Sequence, residues 1–315
     1  MQAVHARILN FRLNDPITLM NTAHARTRTG YFPIGLRLTG PLASQPLAET
    51  ATWAKAAGFA CVDIFANERA TIAGWQQAGV AVGTVDLFER EWTGMLSADA
   101  GKRRATVALA QQAVRDVAAS GGHIHFVVML AEDLTLPRRE TFRYMVESYG
   151  QLRDVLRETN TRIAIEGWPG CNAHCCNPES YRAFLREMNS PHFGINYDPS
   201  HLIRMGIDPL RFVREFAPQV VHVHGKDTLV DLERQYEIGH EQAGVFGEPF
   251  AWGGWNWRYT IPGKGSAPWS ELFNVLRDAG YKGYVSIELE DADINGEVAR
   301  EKAGFETARD FLKGV

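Results

Sequence analysis

"NYDPSHL", residues 196–202, closes an apolar run on a carboxylate, Asp198, and sets an imidazole, His201, three positions later. Three further runs close in the same manner: "IAIEGW" (163–168) on Glu166, "VVHVHGKD" (220–227) on His224 and "VSIELED" (285–291) on Glu288. Short β-branched runs, each ending on a titratable group, read as parallel strands whose C-terminal ends open on one face. Outward from these, "YFPIGLRL" (31–38), "ACVDIFA" (60–66), "VAVGTVDLF" (80–88) and "HIHFVVML" (123–130) bring the strand candidates to eight. Amphipathic stretches follow nearly all of them, among them residues 47–58, 102–121, 139–159, 178–189, 208–218, 268–280 and 296–314. Gly58, Gly121 and Gly280 stand just past the last periodic residue, where a left-handed C-cap belongs. The pattern predicts an α/β fold, a (β/α)8 TIM barrel. Its competitor is a doubly wound open sheet, but no Gly-rich dinucleotide turn follows the first strand and no phosphate-loop lysine motif is present.

Within this plan, residues 1–30 read as an N-terminal arm and 31–315 as one barrel domain. The connection after the seventh strand, 228–266, is far longer than the usual few residues and carries Trp252, Trp255 and Trp257 among glycines. It suits either a lid that stacks on a sugar ring or a patch where a second copy or a partner subunit meets the barrel.

The 315 residues, 45% of them hydrophobic, are enough to bury a real core. A formal charge of −4 without long like-charge runs offers no footprint for a phosphate backbone, so nucleic acid is not an expected partner. No apolar run approaches the roughly 20 residues that span a bilayer, and the first residues lack an apolar signal core. A cytoplasmic protein with no membrane partner is expected. Four cysteines cannot staple such a chain, and Cys171, Cys175 and Cys176 crowd into "CNAHCC" (171–176) with His174. Adjacent thiols do not easily turn to one tetrahedral centre, so a packed or substrate-facing loop is preferred there to structural zinc.

Glu166, Asp198, His224 and Glu288 end strands five to eight, neighbours around half of a barrel mouth. Three carboxylates and one imidazole form an oxygen-rich donor set suited to one divalent ion: Mn²⁺ first, with Mg²⁺, Co²⁺ or Zn²⁺ as alternatives. Without a cation, carboxylates crowded in a half-buried mouth repel one another, raising their pKa values at a cost in stability. His222 shares a strand face with His224 one layer deeper and reads as a hydrogen-bonded interior histidine.

These residues resemble the xylose-isomerase-like barrels of the sugar phosphate isomerase/epimerase family, which includes the tagatose and psicose type of ketose 3-epimerases. The likeness runs from about residue 31 to 312: "NYDPSHL" is similar to that family's Asp-x-x-His signature, "HVHGKD" to its seventh strand, "SIE" to its last metal carboxylate and "IPGKGSAPW" to the turn before its last βα unit. The resemblance implies a divalent metal held by Glu166, Asp198, His224 and Glu288, with Glu166 and Glu288 doubling as an acid/base pair. One carboxylate takes a proton beside a carbonyl and the other returns it, inverting a carbon through an enediolate. His201 is implied as a donor to a substrate oxygen, or as a group orienting Asp198. Lys226 and Arg258 are candidates for neutralising an enolate or carboxylate, and Trp168 for contact with the sugar.

Two departures from the ketose-epimerase pattern stand out. "EGWPGCN" (166–172) carries Trp168 and Asn172 where a second acid is usual, and "HGKDT" (224–228) lacks the arginine that follows the seventh-strand histidine. They point toward larger or oxidised sugars, including 3-keto-glycosides. A metal-dependent sugar isomerase or epimerase is therefore expected. A 3-keto-glycoside lyase that eliminates its aglycone would use the same ligands. An endonuclease IV-like phosphodiesterase would need histidines that the first three strands lack, and a sugar-binding barrel without catalysis is the remaining alternative.

Overall fold

The computed structural model describes residues 24–315. Of the expected N-terminal arm, residues 1–23 lie outside the described residues, while Ala25, Arg28 and Thr29 tie to the backbone of Gly58, Gly314 and Val315. Eight parallel strands form the barrel: β1 (Ile34–Arg37), β2 (Cys61–Ile64), β3 (Ala81–Asp86), β4 (Ile124–Leu130), β5 (Arg162–Glu166), β6 (Phe193–Tyr197), β7 (Val220–Gly225) and β8 (Val285–Glu288). Each pairs with the next, and β8 pairs with β1, so the sheet closes. All eight overlap the runs read from the sequence.

Closure explains the composition of these strands. A parallel sheet wrapped by helices is buried on both faces, so its strands read as continuous apolar runs and not as alternating ones. β1, β2 and β6 are buried at every position. Helices fill each crossover, including Leu47–Ala56, Ala100–Ala119, Pro178–Met188, Pro209–Phe216 and Trp269–Asp278, and Val298–Lys313 follows β8. Gly58, Gly121 and Gly280 adopt φ of 81°, 82° and 84°, a region that a Cβ disfavours, and each stands beyond a helix end. Two details depart from the periodicity. The stretch 139–159 breaks into Arg138–Gly150 and Arg153–Glu158, and the crossover after β2 holds a helix, Ile72–Ala78, too short to stand out in the sequence.

The segment between β7 and the helix Trp269–Asp278 contains an antiparallel hairpin. Asp227–Val230 pairs with Trp257–Thr260, and a short helix, Leu232–Ile238, lies between them. Buried Asp227 ties the return of this segment: its carboxylate accepts from the backbone N–H groups of Thr228 (2.8 Å), Ala267 (2.9 Å) and Gly263 (3.3 Å) and from the Trp269 indole (3.0 Å). Among the described residues no helix is long and apolar enough to cross a membrane.

Candidate active site

Strand register brings the functional groups together. Arg37 lies beside Glu288 across β1 and β8, Arg37 beside Asp63 across β1 and β2, and Glu166 beside Asn196 across β5 and β6. The C-terminal mouth holds a cavity of about 600 Å³ lined by Arg37, Asp86, Glu166, His201, Lys226, Glu288 and Glu290. Phe65, Phe88, Trp92, Phe126 and Trp168 add aromatic rings to its wall.

Asp198 does two jobs. As the N-cap of the short helix Pro199–Arg204 its Oδ1 accepts from the Ser200 N–H at 2.8 Å, which leaves Oδ2 directed into the site. Glu166 is held from one side by the Asn196 amide. Glu288 is shared among cations: Oε1 lies 3.3 Å from Arg37 Nε, and Oε2 lies 2.5 Å from Lys226 Nζ and 3.3 Å from His224 Nδ1. Arg37 is itself clamped by Asp86 at 2.9 and 3.2 Å and stacked between the Phe65 and Phe126 rings.

The donor atoms fit a divalent ion. Glu166, Asp198, His201 and Glu288 each offer one ligand atom within 4.8 Å of the others. Glu166 Oε1, Asp198 Oδ2 and both ring nitrogens of His224 are fully buried without a hydrogen bond, a costly state that a cation among them relieves. His224 differs from the simplest expectation: it clusters with Asp63 and His222, and His201 stands in its place beside the three carboxylates. Its ring stacks on Phe126, with Nε2 3.6 Å from Asp63 Oδ2 and Nδ1 facing Glu288 at 3.3 Å and Glu166 at 3.7 Å. His222 is an interior partner of Asp63 at 2.9 Å, as its deeper layer requires.

Without a metal the charges divide the two glutamates. Burial pushes the Glu166 carboxyl above its usual range, only partly offset by His224. Burial also acts on Glu288, but Lys226, His224 and Arg37 outweigh it and hold that carboxyl well below its usual range. His224 is held up to about 10, since Glu288 and Glu166 overcome the burial that would lower it. Burial and the Lys226 charge push His201 down to about 3, so its ring is neutral.

Of the remaining expected contacts, His201, Lys226 and Trp168 line the cavity. Lys226 is fully enclosed and bridges Glu288, Glu290 (3.1 Å) and Asp198 (3.2 Å). Arg258 is not among the lining residues: its guanidinium turns to Asp293 at 2.8 Å and Asp291 at 3.7 Å, which compete successfully for its charge. The cysteine loop is packed, with Cys175 and Cys176 buried as free thiols and His174 bonded to the Thr141 hydroxyl. Among the described residues no metal-competent cluster includes these cysteines. Four site groups escaped the sequence reading: Arg37, Asp63, Asp86 and Glu290. The one available signal was a charged residue inside or ending an otherwise apolar strand, as in "IGLR" and "CVDI".

Comparison with known proteins agrees with this architecture. Uncharacterized protein YfiH of Bacillus subtilis (strain 168) is 36% identical over 152 residues, 48% of this chain and 46% of that protein. Inosose dehydratase of Bacillus thuringiensis (strain Al Hakam) is 30% identical over 122 residues, 35% of this chain and 38% of that enzyme. The chain thus spans less than half the length of these curated relatives. A crystal structure of D-psicose 3-epimerase in the presence of D-fructose superposes with a TM-score of 0.67 at 18% identity, covering 89% of this chain and 99% of the epimerase. Residues 51–315 match the family described as Xylose isomerase-like TIM barrel, and the chain belongs to that family.

Proposed function

We propose that this protein is a divalent-metal-dependent sugar isomerase or epimerase that moves a proton next to a sugar carbonyl. The observation that carries the reading is the convergence of Glu166 and Glu288, on strands separated by β6 and β7, onto one cavity. Paired carboxylates facing one cavity are suited to give and take a proton in one catalytic cycle.

Glu166, Asp198, His224 and Glu288 would hold the ion. His224 would ligate through Nδ1, with Asp63 Oδ2 3.6 Å from Nε2 on the far side of the ring as the neighbouring carboxylate. When bound, a divalent cation polarises a ketone and its neighbouring hydroxyl, lowers both glutamate pKa values and lowers the barrier to losing the α-proton. Glu288, tethered through both oxygens, removes a proton from a fixed position, and Glu166 serves the opposite face. His201 donates to a substrate oxygen, and the Lys226 ammonium offsets enolate charge. Trp168, exposed at the rim, is placed to stack on the sugar ring.

Elimination is a second reading, favoured by the inosose dehydratase match. It begins with the same proton removal, followed by loss of an oxygen substituent two carbons from the carbonyl. Glu290 lines the cavity, its carboxyl pushed up by burial, and is placed to protonate a leaving oxygen. Mg²⁺-loaded protein incubated in D₂O with ketoses, inososes and 3-keto-glucosides distinguishes these outcomes by NMR. Deuterium entering beside the carbonyl supports enolisation, and the product then separates epimer, isomer and eliminated alcohol. No incorporation with any of them, despite bound Mg²⁺, overturns the reading.

A further inference from the structure

The hairpin inserted after β7 reaches the site through Tyr259. Tyr259, on its second strand, places its hydroxyl 2.7 Å from His201 Nδ1 and 2.7 Å from Arg204 Nη1. We infer that Tyr259 and Arg204 are positioning residues that fix His201 as the Nε2–H tautomer, making it a hydrogen-bond donor in the cavity and excluding it from the metal's ligand set.

Hydrogen-bond direction carries the argument. A guanidinium has donors only, so the Tyr259 oxygen accepts from Arg204. The hydroxyl is then left with one proton, and the remaining partner recorded for it is His201 Nδ1. Directing the O–H there satisfies both atoms. The reverse assignment buries an O–H without an acceptor, at a cost of about 1–3 kcal/mol.

On its other side the ring turns Nε2 to the carboxylates, 2.7 Å from Glu166 Oε1 and 3.4 Å from Asp198 Oδ2. Lys226 Nζ lies 3.4 Å from Nε2 and donates over shorter distances to Glu288 at 2.5 Å and Glu290 at 3.1 Å. A ring in this state has no lone pair facing Glu166, Asp198 and Glu288. Although its position groups it with those carboxylates, it cannot coordinate there, and the imidazole ligand is His224.

The relay is itself rigid. Arg204 Nη2 donates to the Pro169 carbonyl at 2.8 Å, and its guanidinium stacks 4.6 Å from the Trp257 ring centre. Tyr259 is held by pairing opposite Thr228. The inserted hairpin is therefore part of the site's second layer, whatever else it covers.

That the donated proton meets a substrate oxygen rests on the proposed reaction; the tautomer does not. The test uses full-length protein, ¹⁵N-labelled at histidine and loaded with diamagnetic Mg²⁺, examined by long-range ¹H–¹⁵N correlation. The His201 signal is identified by its loss in His201→Asn. Wild type is expected to show a protonated Nε2 and a pyridine-like Nδ1. Tyr259→Phe, and independently Arg204→Met, which frees the hydroxyl to accept, should bring in the Nδ1–H form while Mg²⁺ affinity stays unchanged. A wild-type Nδ1–H pattern, an unaltered pattern in both variants, or loss of Mg²⁺ binding on Tyr259→Phe overturns the inference. Where a substrate is found, Tyr259→Phe should lower kcat/KM about tenfold, the worth of one neutral hydrogen bond. Failure of deuterium exchange with every sugar would leave the NMR result standing and would count against the reaction alone.

Discussion

Replacing Glu288 with glutamine is expected to stop turnover while sparing the fold, and the structure sets the size of each effect. The substitution keeps volume and removes charge. A buried cation left unpaired costs about 3–5 kcal/mol, and Glu288 touches Lys226, Arg37 and His224. Neither permanent cation is stranded, however. Arg37 keeps Asp86 at 2.9 and 3.2 Å, and Lys226 keeps Glu290 at 3.1 Å and Asp198 at 3.2 Å. The stability loss is then that of weakened charge-assisted hydrogen bonds, about 1–3 kcal/mol. On the chemical side, losing a general base costs about 10²–10⁴ in rate, before counting a lost metal ligand. The assay pairs deuterium incorporation at saturating Mg²⁺ with urea unfolding of the same preparation. Exchange within about tenfold of wild type, in a variant that still binds metal, refutes the assignment of Glu288 as a base. A variant that does not fold refutes the charge accounting around Arg37 and Lys226.

Asp63→Asn should weaken Mn²⁺ binding about 10–100-fold, measured by titration calorimetry, because it removes the carboxylate that fixes the His224 ring while its oxygen still serves the Thr84 N–H. Unchanged affinity would show that Asp63 does not orient the ligand. His125, inside β4, gives a pH prediction away from the metal site: burial pushes its pKa from 6.5 down to about 3. In that window the unfolded chain binds the proton and the folded one does not, so stability falls as pH drops from about 6.5 toward 3. His125→Leu should flatten that part of the stability–pH curve, and a slope equal to wild type contradicts the buried neutral ring.

What the sequence made legible was what one strand or one helix decides by itself. An apolar run ending on Glu166, Asp198 or Glu288 states its own placement, since a barrel delivers every strand end to one face. The glycine caps at 58, 121 and 280 follow from local backbone geometry alone. The illegible part depends on register between strands far apart in the chain. Arg37 acquires meaning only when β1 lies against β8 and sets it beside Glu288, and Asp63 only when β7 brings His222 and His224 over it. Arg258 and Tyr259 are adjacent in sequence and make the same point from opposite sides. Strand alternation turns one toward Asp291 and Asp293 and the other toward His201, so a reading of exposed loop cations favoured the wrong neighbour. The direction of the His201 ring proton is further removed still, since in the proposed arrangement it is set by Arg204 and Tyr259 acting together. A ligand set read from residue types alone therefore cannot separate the two imidazoles near this site; the proposed division, metal binding by His224 and donation by His201, rests on the Tyr259 and Arg204 contacts behind the His201 ring.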